Sequence, residues 1–160
     1  MNITYITGDA TRPQGEGKKI IAHICNDIGG WGSGFVLHIS RRWTEPERSY
    51  RDWFRNGKLG EVPFKLGQCW VVSVGDDIAV ANMIAQHGFG FDGNPPIRYD
   101  ALKSCLEIVL HMAQLNLASV HMPRIGCGLA GGDWRLVEPI IQRTLCDKGI
   151  AVTVYDLPKR

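Results

Sequence analysis

Two groups of four glycines constrain this chain: Gly29, Gly30, Gly32 and Gly34 in "DIGGWGSGF", and Gly126, Gly128, Gly131 and Gly132 in "GCGLAGG". Each group follows a short β-branched run and precedes a helical one. Each therefore falls at the carboxyl end of a predicted strand and the amino end of a predicted helix. In a mixed α/β sheet ligands bind at that junction. Backbone N–H groups converge there, the helix dipole favours negative charge, and glycine lets the main chain approach a phosphate at positive φ. The chain has 19 glycines in 160 residues, where average usage gives about eleven. Tight turns alone would account for either group; two groups at equivalent positions favour a clamp for a diphosphate.

The order of elements supports that placement. "NITYITG" reads as a first strand and "KIIAHICN" as a second, apolar enough to be buried on both faces. Phe35, Val36 and Ile39 suit a helix, and another covers Glu45 to Phe54. "GQCWVVSV" and "IAVANMIAQ" form a hairpin around the turn "GDD", and "HGFGFDGNPP" is a loop by composition. Leu102, Leu106, Val109, Leu110 and Ala113 mark a helix from Tyr99 to Leu115. "ASVHMPRI" is a strand, Trp134 to Cys146 a helix with Pro139 in an early, tolerant turn, and "AVTVYDLP" the closing strand. Strands alternating with helices imply a mixed sheet covered on both faces, and no linker or repeat divides residues 1–160.

Other classes are disfavoured. Neither glycine loop matches G-x-x-x-x-G-K-[ST], and no G-x-G-x-x-G follows the first strand with an acid about 20 residues on. The formal charge of +2 is too small to argue for a nucleic-acid or membrane surface. Five scattered cysteines without a C-x-x-C pair read as reduced thiols, and neither a signal-type leader nor an apolar run of about 18 residues is present. These features lead us to expect a cytosolic location with no membrane partner. No His, Cys or acidic cluster has metal-ligand spacing. The arginine-rich "RRWTEPERSYRDWFR" carries three acids, so it reads first as a solvated amphipathic helix and second as a nucleic-acid surface.

Taken together, Gly8-Asp9 after the first strand, "HICN" leading into "GGWGSG", "MPRIGCGLAGGDW" and the closing "VTVYDL" resemble the macrodomains, which are ADP-ribose-binding α/β/α modules. The motif "PRIGCGL" is similar to the branch containing ADP-ribose-1''-phosphate phosphatases and terminal ADP-ribose protein glycohydrolases. The resemblance covers the whole chain and implies a single three-layer α/β/α macrodomain with a mixed, mostly parallel central sheet. It implies that Asp9 receives the adenine amino group beside Ala10, and that Leu157 lines the adenine pocket. Asn26 would face the distal ribose, with Trp31, Gly32, Ser33 and Gly34 passing over the diphosphate. Arg124, Ile125, Gly126, Cys127, Gly128, Leu129 and Ala130 would form the second phosphate loop.

The chemistry is less clearly marked. Members of this branch that form a lysyl intermediate carry a lysine after the central hairpin and an aspartate directly after G-C-G-L. This chain has "AQHGFG" and Ala130, with no lysine between Lys65 and Lys103, so Schiff-base chemistry is not expected. His23 is a candidate base, or a histidine satisfied inside a buried strand. His87 is a loop histidine on the same predicted edge, and Asp133 is either an acid or, more simply, a helix N-cap. Cys25 and Cys127 flank the pocket, and the amides around Cys127 would favour a thiolate. We therefore expect ADP-ribose binding and hydrolysis at the distal ribose, with ADP-ribose-1''-phosphate or an ADP-ribosyl ester as substrate and with His23, Asn26 and Asp133 as catalytic candidates. No cofactor or metal is expected. The partner is ADP-ribose on a protein or, alternatively, on a nucleic acid. The rival readings are a non-catalytic ADP-ribose reader and a different nucleotide enzyme on a doubly wound sheet.

Overall fold

The computed structural model describes residues 1–88 and 94–158, so part of the expected loop, residues 89–93, lies outside the described residues. In chain order the elements are β1 (Thr4–Thr7), β2 (Lys19–Asn26), α1 (Phe35–Arg42), α2 (Glu45–Asn56), β3 (Lys58–Leu59), β4 (Val62–Pro63), β5 (Cys69–Gly75), β6 (Ile78–Gln86), α3 (Tyr99–Asn116), β7 (Ser119–Met122), α4 (Trp134–Thr144) and β8 (Val152–Asp156). Six strands make one sheet in the order β1-β8-β7-β2-β6-β5. All neighbouring pairs are parallel except β5 against β6, at the edge.

β2 lies inside this sheet, between β7 and β6. Its side chains alternate between two covered faces, which is why its sequence shows no polar alternation. Ile20 and Ala22 pack with Met83, Val120 and Val154 beneath α3 and α4. Ile21 and Cys25 pack with Val36, Ile39 and Tyr50 of α1 and α2. The buried stripe of α3 is Leu102, Cys105, Leu106, Val109 and Ala113, the three- and four-residue spacing of a helix face. In α2, Tyr50 and Trp53 are fully buried, while Arg51 and Arg55 pair with Glu47 and Asp52 along the exposed side. That arrangement is an amphipathic surface helix.

Three local details differ from the sequence reading. A two-residue hairpin, β3 with β4, occupies a stretch to which the sequence assigned no element; its pairs are too few to leave a periodic trace. The final strand and β7 are shorter than their apolar runs. α4 ends at Thr144 instead of Cys146, and Pro139 lies inside it beyond the first turn, where it has no N–H to offer the Arg135 carbonyl.

The loop after β1 is tied to β8, where polar groups take part in the packing. The Gln14 N–H donates to the Tyr155 hydroxyl (2.9 Å), which lies 2.7 Å from His121 Nδ1; His121 Nε2 lies 2.8 Å from Ser119 Oγ. With the hydroxyl accepting from Gln14, its own proton goes to Nδ1, so the ring is neutral with its hydrogen on Nε2. Burial, with Lys19 adding repulsion, drives His121 down to about 4.

His121 and the equally buried His23 are both held to about 4 in the fold against 6.5 unfolded. Between those values the unfolded chain binds more protons, so stability rises with pH there and falls as the pH drops from 6.5 towards 4. Urea midpoints measured across that window should fall on acidification, with a shallower slope in His121→Gln; a flat profile would contradict it. At the end of α3, Leu117 holds a left-handed φ of 53° with its side chain 91% exposed. Leu117→Gly should therefore stabilise the fold by about 0.5–1 kcal/mol in the same assay.

Candidate functional site

β2 and β7 are neighbours, so both glycine loops leave the same edge of the sheet side by side. Between them opens a cavity of about 710 Å³. Gly30, Gly32, Ser33 and Gly34 line one wall, and Arg124, Ile125, Gly126, Gly128, Leu129 and Ala130 the other, with His23, Cys25 and Asn26 at the strand end. Phe35 and Val36 line it from the start of α1. The loops touch where Leu129 Cδ1 comes within 3.0 Å of the position a Cβ on Gly34 would occupy.

The first loop is shaped by Asn26. Its Oδ1 accepts from the N–H groups of Ile28 and Gly30, both at 3.0 Å, and its Nδ2 donates to the Gly30 carbonyl at 2.9 Å. The Tyr50 hydroxyl lies 2.7 Å from the Asn26 carbonyl and 2.8 Å from Oδ1. Burial raises Tyr50, so it stays a donor. Asn26 thus lines the cavity, but its carboxamide is largely committed to the backbone. Gly34 stands at the N-cap of α1 and supplies no side-chain cap.

The second loop is folded over itself. The Gly132 N–H donates to the Gly126 carbonyl at 2.6 Å, and the Gly131 N–H to Gly128 at 3.0 Å. Gly126 has φ 77°, and a Cβ there would sit 2.4 Å from Ile97 Cδ1. A Cβ on Gly132 would lie 2.4 Å from the Gly126 carbonyl oxygen, which is backbone and cannot move aside. Among the described residues, the N–H groups of Gly32, Ser33, Gly34, Phe35 and Val36 on one side have no protein acceptor. Neither do those of Gly128, Leu129 and Ala130 on the other. Free amides on both walls make an anion cradle.

The remaining candidates divide. His23 is buried, with Nε2 2.6 Å from Asn82 Oδ1. Asn82 Nδ2 donates to the Pro46 carbonyl, so Oδ1 is the acceptor and His23 carries its hydrogen on Nε2. Nδ1 has no partner among the described residues. Burial, partly offset by Asn82, pushes this imidazole down to about 4, which makes it a weak proton acceptor at neutral pH. Trp31 contributes only its main chain to the loop: the ring is buried against Tyr50 and His23 and donates to Ser40 Oγ at 2.7 Å. Asp133 is the N-cap of α4, accepting from the Arg135 N–H and pairing with its guanidinium, and it does not line the cavity.

Arg124 lines the cavity and also braces the loop through its side chain. Its guanidinium bonds both carboxylate oxygens of Asp156 at 2.7 and 3.0 Å and lies over the rings of Tyr5 and Trp134. Both cysteines depart from a nucleophile's environment: burial raises Cys25 and Cys127, the latter with help from Asp133, against the expected effect of the amides. Asp9 and Ala10 follow β1 and Leu157 follows β8, on the same edge of the sheet but outside the cavity lining. The Asp9 carboxylate, despite partial burial, is lowered by bonds from the Thr11 hydroxyl and N–H, both at 2.8 Å. From β1 to β2 is three strand spacings, roughly 14 Å, so the predicted residues form a row along one edge.

Two residues that the sequence reading did not select also belong here. Gln86, at the end of β6, lines the cavity, and a shift of register between β2 and β6 sets it opposite Asn26. Asp27, which follows Asn26, lies 2.7 Å from His87 Nδ1 across 60 residues of chain. "HICND" gives no hint of that partner.

No family model matches the chain. Among solved structures it is similar to a protein of unknown function from Bacteroides thetaiotaomicron, with 57% identity, 98% of this chain and 99% of that one covered, and a TM-score of 0.94. The mouse protein named chromodomain-helicase-DNA-binding protein 1-like is 32% identical over 99% of this chain, which spans only 18% of that protein's length. An ADP-ribose 1''-phosphate phosphatase of Lodderomyces elongisporus is 26% identical, covering 89% of this chain and 92% of its own. A DNA ADP-ribosyl glycohydrolase of Mycobacterium tuberculosis is 29% identical over 85% of this chain and 36% of its own. The structure of a macrodomain protein from Streptomyces coelicolor is 50% identical with a TM-score of 0.85, covering 97% of this chain and 99% of that one. With that identity over nearly the full length of both, on the same α/β/α layers and mixed sheet, the chain belongs to the macrodomain family.

Proposed function

We propose that the chain binds ADP-ribose between its two glycine loops and hydrolyses a bond at the distal ribose, releasing ADP-ribose from a 1''-phosphate or from an acyl ester on a protein. One observation carries the binding reading: residues with unpartnered backbone amides line the cavity on both walls, and such donors are best used by a pyrophosphate held without a lysine. Asp9, Ala10 and Leu157 sit further along the same edge, where the adenosine end would lie, and Asn26, Gln86 and the start of α1 surround the distal end. Hydrolysis is supported by the names of the two fungal and mycobacterial relatives, one acting on ADP-ribose 1''-phosphate and the other on ADP-ribosylated DNA. The modified target on this chain's substrate is a protein carboxylate or, as the second arm of the test, a nucleic acid.

A reader without turnover is the second reading. Ala130 stands where an acid would, Asp133 is committed to capping α4, and His23 is a weak base. No helix among the described residues is long and apolar enough to cross a membrane, and all five cysteines are free thiols; we propose a reducing, cytosolic setting.

Calorimetric titration should show ADP-ribose binding at least tenfold more tightly than ADP, and equal affinities would overturn the site. Gly132→Ala should weaken ADP-ribose by at least tenfold, because its Cβ displaces the Gly126 carbonyl and with it the second wall. Incubation with a glutamate-linked ADP-ribosyl peptide, ADP-ribose-1''-phosphate and an ADP-ribosylated oligonucleotide then separates the readings. Release of ADP-ribose from one or more of them supports the enzyme, and tight binding with no release supports the reader.

A further inference from the structure

β2 and β6 end side by side, and each is followed by a polar residue: Asp27 after Asn26, and His87 after Gln86. The Asp27 N–H donates to the Gln86 carbonyl at 3.0 Å, which ties the two ends together. Its carboxylate then spans the gap between the strands. Oδ1 accepts from the Gly88 N–H at 2.9 Å, and Oδ2 lies 2.7 Å from His87 Nδ1. A carboxylate beside Nδ1 places the ring hydrogen there and leaves the lone pair on Nε2. The His87 side chain is 51% exposed and the Asp27 side chain 17%. No acceptor or donor among the described residues engages Nε2. The imidazole is therefore gripped at one nitrogen by a mostly covered carboxylate and leaves the other unengaged; His87 and Asp27 lie outside the cavity lining, each one residue beyond a residue, Gln86 or Asn26, that lines it. That is the arrangement of an oriented proton acceptor. The other candidates are spent on burial, capping or loop support.

We propose that His87, held by Asp27, is the general base that activates water in the hydrolysis of an ADP-ribosyl ester, an inference that rests on the hydrolase reading above. In the step, His87 Nε2 takes a proton from water as the water oxygen bonds to C1'' of the distal ribose. The bond from C1'' to the acyl oxygen breaks, and its electron pair leaves with the carboxylate. The products are ADP-ribose and a free carboxylate, and the proton passes from His87 to solvent. A carboxylate departs as a stable anion and needs no acid to protonate it. A serine-linked ether would leave as an alkoxide and would need one. The single base thus matches acyl linkages. Asp27 is a positioning residue: it fixes the tautomer and, through Gly88, the backbone that carries the ring.

The test uses the full chain and a glutamate-linked ADP-ribosyl peptide, with ADP-ribose affinity measured alongside. His87→Ala should lower kcat by about 100-fold or more with ADP-ribose affinity unchanged, and added imidazole should restore part of the rate in proportion to its concentration. In Asp27→Asn the new carboxamide oxygen can still accept from Gly88 while its NH₂ faces Nδ1, forcing the hydrogen onto Nε2. Here kcat should fall with affinity intact. A serine-linked peptide should resist the wild type. Wild-type kcat in His87→Ala would overturn the role of His87, as would a loss of rate that tracks lost affinity and is not rescued by imidazole. A wild type that binds ADP-ribose but leaves the glutamate peptide intact would overturn the hydrolase reading itself, and the wild-type reaction tells these failures apart.

Discussion

The carboxamide of Asn26 is the joint on which the site depends. It ends the strand that runs between the two helical layers, and in one side chain it holds two N–H groups and a carbonyl of the loop that follows. Tyr50 anchors it from α2, so the helix covering the sheet also fixes the angle at which the loop leaves it. A glycine-rich segment has high conformational entropy, and holding its amides in a binding geometry before a ligand arrives removes much of the ordering cost from the binding step. The same tethering explains how a loop of such composition can keep one shape.

Most of the architecture was legible because burial leaves periodic traces. A strand covered on both faces reads as a continuous apolar run, as "KIIAHICN" does, and α3 shows its stripe directly. The glycine loops were legible as a pair, since two such groups after strands locate a sheet edge. What the sequence concealed were features made by contacts distant in the chain. Trp31 looks like a loop residue, but Ser40 and Tyr50 draw its ring into the core. Asn26 looks like a ligand contact, while its polar atoms serve mainly the backbone. Pro139 reads as a proline tolerated in an early turn, while in the structure it lies inside α4 beyond the first turn.

The residues with most chemistry were the hardest to rank. His23 sits in the motif that attracts attention, yet full burial with one amide partner leaves it neutral and poorly basic. His87 stands in a segment without a motif, and the carboxylate that gives it a direction belongs to another strand. A titratable group's role is set by its surroundings more than by its neighbours in sequence, so these two histidines exchange importance once the sheet is assembled.

Arg124 draws together parts of the chain made at very different times. Its guanidinium is held by Tyr5 in the first strand, Trp134 at the start of α4 and Asp156 at the end of the last strand, and β1 pairs with β8 from Thr4 opposite Thr153 to Thr7 opposite Asp156. A polypeptide growing from its amino end can form β2, α1 and the first loop early, but Arg124 has no carboxylate partner until Asp156 has been synthesised. The clamp around Arg124 is therefore a late property of the nascent chain, completed only when its opening and closing strands meet.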